Sequence, residues 1–264
     1  SSGGGGGGGL AADNRPSVST GEGGTVTAGD GTVTITPDEG YRIGSVTVNG
    51  EEVEIPADGI LTGLDSDDEV TVAFERITDD TGLPFADVAP ASWYHDAVQY
   101  VYENGMMNGT SDTLFSPDAT VTRAMIVTIL HRLENAPASA ASGFTDVAAG
   151  MYYADAVDWA AANGIVNGVS ETAFAPDDRI TREQMAAILY RYAQFKGYDV
   201  TASADLGAYT DAAQISAYAT AAMQWANENG LITGNTGTTL NPKGHATRAE
   251  AATILMRFCQ DTAA

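Results

Sequence analysis

From Gly82 to Gln260 one set of landmarks is written three times, and no other feature limits the fold so tightly. Each copy opens on an aromatic-x-Asp triplet: Phe85-Ala86-Asp87, Phe144-Thr145-Asp146 and Tyr209-Thr210-Asp211. A helix-like stretch ending in Asn-Gly follows (AVQYVYENG, AVDWAAANG, AMQWANENG), then a second glycine four residues on, at Gly109, Gly168 and Gly234. A polar loop (LFSPD, AFAPD, TLNPK) leads to a Thr-Arg pair beginning at Thr122, Thr181 or Thr247, and to a second apolar helix. The first two copies stand 59 residues apart at every landmark (85 to 144, 122 to 181); the next spacing is 65 or 66 (144 to 209, 181 to 247), which puts an insertion in FKGYDVTASADLGA. Repetition at such a period marks supersecondary units that stack.

Each unit reads as helix, loop, helix. The Asn-Gly pair ends the first helix, because glycine adopts the left-handed φ that a helix C-terminus needs. Tyr100, Trp159 and Trp225 fall five residues before that glycine and share the alanine and valine face, so they belong to the core. The second helices run through IVTILHRL, MAAILYRY and AATILMRF. One helix pair cannot bury its own apolar face, whereas three stacked around a common axis can.

The start of the second helix poses the main functional question. Thr247 with Glu250, and Thr181 with Gln184, fit a capping box, in which the threonine and the residue three positions on satisfy free backbone N–H groups. Thr122 with Met125 keeps the threonine cap and loses the reciprocal half. Capping leaves Arg123, Arg182 and Arg248 unexplained, since a cation at the first helical position opposes the helix dipole. Either each arginine pairs with a local carboxylate, for which Asp87, Asp146 and Asp211 are candidates, or it joins the helix N–H groups in holding an external anion. Both roles are compatible.

The chain has 264 residues, with 12 Lys and Arg against 35 Asp and Glu and a net charge of −23. That sign argues against nucleic acid and anionic membranes as partners. No apolar run reaches the roughly 20 residues of a membrane span. The single Cys259 excludes an internal disulfide, and its place in ATILMRFCQ gives it a core role. His95, His131 and His245 show no metal-ligand spacing, and no nucleophile elbow, P-loop or dinucleotide fingerprint occurs, so neither metal, cofactor nor catalysis is expected within these residues.

Before the repeats the texture differs. Residues 1–16 read as a glycine-rich linker, opening SSGGGGGGGL, and the chain as the later part of something longer, with room upstream for a signal or a catalytic domain. Residues 17–78 alternate β-branched and polar residues between GDG, PDEG and NG turns, and read as a small, mostly β module. Asn49-Gly50 is the clearest hairpin turn, and EVTVAFERI is the last strand. The acidic run LDSDDEV lacks the shaped loop of a calcium site and reads as a solvated turn.

Two resemblances sharpen these expectations. The pattern GGTV…VTITPDEGYRIGSVTVNG…EVTVAF resembles the divergent internalin-type B-repeat of bacterial surface proteins, which implies a spacer. The triplicated unit (aromatic-x-Asp, ENG…G, F-x-P-D, TRAE or TREQ) resembles the S-layer homology domain, over repeats at 83–137, 142–197 and 205–260. That resemblance implies an all-α, three-repeat, pseudo-threefold array at the wall of a Gram-positive-type bacterium, extracellular in the cell wall or S-layer. It implies a noncovalent anchor holding a secondary cell-wall polysaccharide, often a pyruvylated amino-sugar polymer, in grooves between repeats. The arginine role carries over to Arg123, Arg182 and Arg248. An aromatic near the groove corresponds to Trp93, Tyr152 and Tyr218, each twelve residues before the Asn-Gly glycine, and a close-approach glycine to Gly109, Gly168 and Gly234. Asp87, Asp146 and Asp211 join this candidate set as orienting partners.

This chain departs from the family pattern at Met125 and at LNPKGHA in the third copy, so unequal grooves are expected, with Lys243 and His245 as substitute cations near Arg248. The competing function is lattice self-assembly, or contact with lattice neighbours, without sugar. On sequence grounds the arginines separate the two: an anchor needs them, and an assembly module should tolerate their loss.

Overall fold

The computed structural model describes residues 14–78, 82–234 and 237–262; the first thirteen residues of the expected linker lie outside them. The chain divides into two compact units, Ser1–Ala86 and Asp87–Ala264.

The described residues of the first unit form strands and no helix. Its strands are β1 (Ser17–Thr20), β2 (Gly24–Gly29), β3 (Thr32–Pro37), β4 (Tyr41–Val48), β5 (Glu51–Glu52), β6 (Ile60–Thr62) and β7 (Glu69–Arg76). They form two sheets, ordered β1-β7-β4-β5 and β2-β3-β6. All pairs are antiparallel except β1 with β7. The alternation seen in the sequence puts Val33, Ile35, Val46, Leu61, Val70 and Val72 into one core. Asn49 and Gly50, at φ 54° and 84°, make the hairpin turn between β4 and β5. In the acidic run, the Asp68 carboxylate accepts the Asp65 N–H and the Asn49 side-chain amide, both at 2.7 Å, which makes it a turn cap. Those hydrogen bonds hold the Asp68 pKa below its ordinary value.

Among its described residues the second unit carries six α-helices: α1 (His95–Glu103), α2 (Arg123–Leu133), α3 (Ala154–Ala162), α4 (Arg182–Lys196), α5 (Thr220–Glu228) and α6 (Arg248–Arg257). Helices α1, α3 and α5 end as their sequences require. Gly105, Gly164 and Gly230 take φ of 64–67°, and Asn104, Asn163 and Asn229 donate back to the carbonyls of Tyr100, Trp159 and Trp225. Trp159 and Trp225 are buried and Tyr100 is half-buried.

The two helices of one repeat are not each other's main partners. Helix α2 packs on α3, α4 on α5, and α6 on α1, so each second helix serves the first helix of the next copy and the series closes on itself. At the centre three backbone bonds also form a cycle. The Val121 N–H donates to Ala246, Ala246 to Ile180, and Ile180 to Val121, at 3.0–3.1 Å, and all three residues are fully buried. The cycle satisfies backbone groups that water cannot reach. The unit is thus not purely helical: isolated β-bridges join Thr120 to Thr247, Thr122 to Arg179 and Thr181 to His245. The inserted stretch before α5 adds 3-10 turns at Leu206–Ala208, Ala212–Gln214 and Ala217–Ala219.

Candidate functional site

The three Thr-Arg elements lie where this central ring meets the second helices. Thr122, Thr181 and Thr247 each accept the N–H three residues on, and the reciprocal half of the capping box is present in every copy. Met125 supplies it with its sulfur, 3.5 Å from the Thr122 N–H, so the half expected to be lost is present, though thioether sulfur is a weak acceptor. The first N–H groups of each helix are also occupied. Arg123 and Ala124 donate to Asp178 and Pro176, Arg182 and Glu183 to Gly244 and Pro242, and Arg248 and Ala249 to Ala119 and Pro117. The expectation that free helix N–H groups help hold an external anion is therefore corrected: the neighbouring repeat uses them.

Each arginine side chain reaches the same neighbour. Arg123 Nε donates to the Phe174 carbonyl at 2.9 Å and Nη2 to Asn167 at 3.0 Å. Arg182 makes the same pair with Leu240 and Thr233, and Arg248 with Phe115 and Asn108. The three residues are only 4–8% exposed, and burial pulls each guanidinium pKa below its ordinary value. Arg123 and Arg248 also stand over the rings of Phe174 and Phe115, at 4.7 and 4.5 Å. Leu240 offers no ring, and Arg182 instead pairs through Nη1 with Glu250 at 3.0 Å.

Asp87, Asp146 and Asp211 act on those same acceptor residues from the other side. Asp146 accepts the N–H groups of Phe174 and Ala175, Asp87 those of Phe115 and Ser116, and Asp211 those of Leu240 and Asn241. In each copy the second of these residues has a left-handed φ: 57° at Ser116, 57° at Ala175, 51° at Asn241. Burial alone would raise the Asp146 carboxyl, but the two N–H groups outweigh it and its pKa ends below the usual value. Arginine and aspartate thus communicate through one peptide unit rather than by direct pairing: the aspartate holds its N–H side, and the preceding repeat's arginine holds its carbonyl.

Part of each guanidinium remains accessible, and it opens on a groove. The Arg182 groove has a volume of about 420 Å³, the Arg123 groove about 410 Å³ and the Arg248 groove about 190 Å³. All three repeats contribute to every groove. Arg123 comes from the first repeat; the second adds Asn167, Gly168, Gln184 and Arg191; the third adds Tyr218. The Arg182 groove takes Thr233, Gly234, Glu250 and Arg257 from the third repeat and Trp93 from the first. The Arg248 groove takes Asn108, Met125 and Arg132 from the first repeat and Tyr152 from the second. Trp93, Tyr152 and Tyr218 are 68%, 62% and 53% exposed, enough to offer a ring face.

The candidate glycines divide. Gly168 and Gly234 line grooves. Their lack of a side chain has an internal cause: a Cβ on Gly168 would lie against the Ser170 carbonyl, 2.5 Å from the Ala173 carbonyl and 2.7 Å from the Phe144 ring. On Gly234 it would lie 2.8 Å from the Thr239 carbonyl and 3.0 Å from the Tyr209 ring. Gly109 is half-buried beside Asn108. The cations expected to substitute near Arg248 point elsewhere: Lys243 pairs with Glu183 at 2.6 Å, and His245 sits in the bridge with Thr181.

Sequence reasoning overlooked a second row of arginines. Arg132, Arg191 and Arg257 each lie nine residues after the Thr-Arg arginine, and each lines the groove of the preceding repeat's arginine. Their constant offset was the available signal, hidden inside an apolar helix pattern. Residue N3 of the capping box also lines every groove, and differs in each: Met125, Gln184 and Glu250. Among the described residues no cluster suits a metal ion, and no helix is long and apolar enough to cross a membrane. Cys259 is half-buried rather than fully enclosed, and burial raises its thiol pKa.

Comparison with known proteins agrees with this repeat structure. The family model of the S-layer homology domain matches residues 84–124, 143–186 and 208–252. An amylopullulanase of Thermoanaerobacterium thermosulfurigenes is 35% identical over 169 residues, 62% of this chain and 9% of the relative. An endoglucanase of Bacillus sp. (strain KSM-635) is 35% identical over 180 residues, 66% of this chain and 18% of the relative. The surface-layer 125 kDa protein of Lysinibacillus sphaericus is 32% identical over 169 residues, 63% and 14% respectively. The match thus spans less than a fifth of each of these relatives.

Proposed function

We propose, from the premise that this chain belongs to the S-layer homology family, that its three grooves bind an acidic wall polysaccharide and so anchor the protein noncovalently. The chain acts at the cell surface, in the cell wall or S-layer, and its helical unit is a module without catalysis of its own. One observation carries the reading. Six of the 12 basic residues line the three grooves, and among the described residues Glu250 is the only acidic one that does. Each groove joins two guanidinium groups to an exposed aromatic ring, a combination suited to a sugar carrying a carboxylate: arginine meets the acid, and the ring covers apolar C–H surface. A pyruvylated amino-sugar polymer has that chemistry.

In this reading Arg123, Arg182 and Arg248 do two jobs, stapling neighbouring repeats with Nε and Nη2 and offering the rest of the guanidinium to the ligand. Arg132, Arg191 and Arg257 supply the second cation, while Asp87, Asp146 and Asp211 hold the loops that shape the wall. The β unit serves as a spacer. Any catalytic activity of the whole protein would belong to a part beyond this chain, as the enzyme names of two relatives suggest.

Sedimentation with purified cell walls tests the proposal. The chain should co-sediment, lose binding after the pyruvyl groups are removed from the walls, and lose it when Arg132, Arg191 and Arg257 are all changed to glutamine in a protein that melts normally. Undiminished binding in both cases would sink the sugar reading and favour lattice contact.

A further inference from the structure

The repeat template is broken at several positions, and three of the breaks meet at one carboxylate. Glu183 stands where the other copies have Ala124 and Ala249. Lys243 stands where they have Asp118 and Asp177, and Ser216, aligned on the Asn-Gly landmark, where they have Ala91 and Gly150. In the structure the Glu183 carboxylate, only 3% exposed, accepts the Ser216 N–H at 2.9 Å, the Ser216 hydroxyl at 2.8 Å and the Lys243 ammonium at 2.6 Å. Lys243 also reaches the Ser216 hydroxyl. A fourth donor completes the set: the Tyr218 hydroxyl, 3.3 Å from Glu183 Oε1.

Tyr218 is the aromatic wall of the Arg123 groove. Its ring is half-exposed, yet its hydroxyl end is shielded beside a carboxylate, and the phenol pKa is pushed up to about 12 by burial and by the Glu183 charge. The phenol therefore stays protonated and donates to Glu183 throughout the physiological range. Trp93 and Tyr152, at the same position in the other grooves, have no side-chain hydrogen bond among the described residues, and their ring contacts are edge to face with Tyr94 and Tyr153, the residues before α1 and α3. Those two rings must be immobilised when a ligand arrives; Tyr218 is already held.

We infer that Glu183, fixed by Lys243 and Ser216, is a positioning residue for Tyr218, and that this tether makes the Arg123 groove the pre-organised, tightest of the three ligand sites. The inference rests on the proposed sugar-binding reading and adds which groove leads and why. Neighbouring groups agree with it. The Arg123 groove contains Arg191 and the neutral Gln184, with no carboxylate in its lining. The Arg182 groove carries Glu250 paired to its own arginine, and the Arg248 groove is less than half as large. A tether acts by removing the ordering cost of one side chain at binding, which corresponds to roughly a three- to tenfold gain in affinity.

The test uses the full chain, a methyl glycoside of pyruvylated N-acetylmannosamine as probe, and amide resonances that report each groove: Gly168 for Arg123, Gly234 for Arg182 and Asn108 for Arg248. In the unaltered protein the Gly168 signal should move at the lowest probe concentration. Tyr218→Phe keeps the ring and the other three partners of Glu183, so it should leave the melting temperature unchanged within about 2 °C while weakening the Gly168 site roughly three- to tenfold. Glu183→Gln should weaken the Gly168 site like Tyr218→Phe, with a lower melting temperature as well. Equal affinity in Tyr218→Phe and wild type overturns the tether while the sugar reading survives. No movement of any of the three signals in the wild type overturns the sugar reading and the tether with it.

Discussion

Replacing Arg182 with alanine should unfold far more than a ligand contact. Its Nε–H is the donor to the Leu240 carbonyl at 2.9 Å, and Leu240 is fully buried, so that oxygen cannot turn to water. Leaving such an acceptor unmade costs about 1–3 kcal/mol. The bond to Thr233 at 3.1 Å is also lost, and Glu250, 20% exposed, is left without its cation. Together these terms reach about 3–5 kcal/mol. In a unit of this size that corresponds to a fall in melting temperature of roughly 6–20 °C. Urea and thermal denaturation of Arg123→Ala, Arg182→Ala and Arg248→Ala, each beside wild type, would measure it. Three such losses sum to about 9–15 kcal/mol, comparable to the 5–15 kcal/mol that holds a typical domain together, so the triple variant should be largely unfolded. The arginines therefore cannot separate an anchor from an assembly module as sequence reasoning expected, because both need them for the fold. Shifts below about 2 °C in all three single variants would refute the staple and return the arginines to a purely external role.

Changing Arg132, Arg191 and Arg257 singly to glutamine should move the melting temperature by less than about 2 °C, since among the described residues only Arg257 of the three has a side-chain hydrogen bond, to Gly230, while each reduces wall binding in sedimentation. Gly168→Ala should destabilise by about 1–3 kcal/mol and Gly234→Ala by less, because the first Cβ meets closer backbone oxygens; denaturation curves rank them. Ala175→Gly relieves a left-handed alanine and should stabilise by up to about 1 kcal/mol, read as a higher denaturant midpoint. For pH, burial raises the carboxyls of Glu134 and Glu183, but their hydrogen bonds from Lys196 and Tyr192, and from Lys243 and Ser216, leave both below the ordinary 4.5. The stability they contribute is full above that value and lost as pH falls through their lower folded values, so melting should drop in that window, and less steeply in Glu134→Gln with Glu183→Gln.

Local signals were the legible ones. Asn-Gly could be read as a hairpin at 49–50 and as helix ends at 104–105, 163–164 and 229–230, because positive φ is a property of those residues themselves. Threonine caps were legible for the same reason. What escaped was everything decided between repeats. Nothing in the sequence of α1 says that it packs on α6, or that the three stretches before α2, α4 and α6 hydrogen-bond in a cycle. The arginine question was posed correctly and answered too simply. Its partners are the carbonyls of Phe174, Leu240 and Phe115, and a backbone carbonyl leaves no trace in a sequence. Asp87, Asp146 and Asp211 were expected to pair with the arginines; they meet them through an intervening peptide instead of an ion pair. The arginines at 132, 191 and 257 were missed because a charge inside an apolar helix reads as its solvated edge; only the offset of nine marked them.

On the proposed reading, how a chain of net charge −23 would hold an acidic polymer is a question of distance. Exposed charges separated by more than about 8 Å at physiological salt are largely screened, so most of the acid excess acts on the polymer's approach and little on the bound state. Inside a groove the balance reverses: two guanidinium groups line it, and among the described residues only the Arg182 groove adds a carboxylate. The aspartates nearest the arginines are held by their own loops, where Asp146 accepts the N–H groups of Phe174 and Ala175 at 2.8 and 2.7 Å. Their charge helps keep the buried guanidinium ionised without filling the donor positions left for a ligand. Three unequal grooves on one polymer add through linkage, because a second sugar is already nearby once the first is bound. A weak groove therefore still contributes to retention. It follows that disabling the tightest site should reduce wall binding by more than disabling either other, yet should not abolish it.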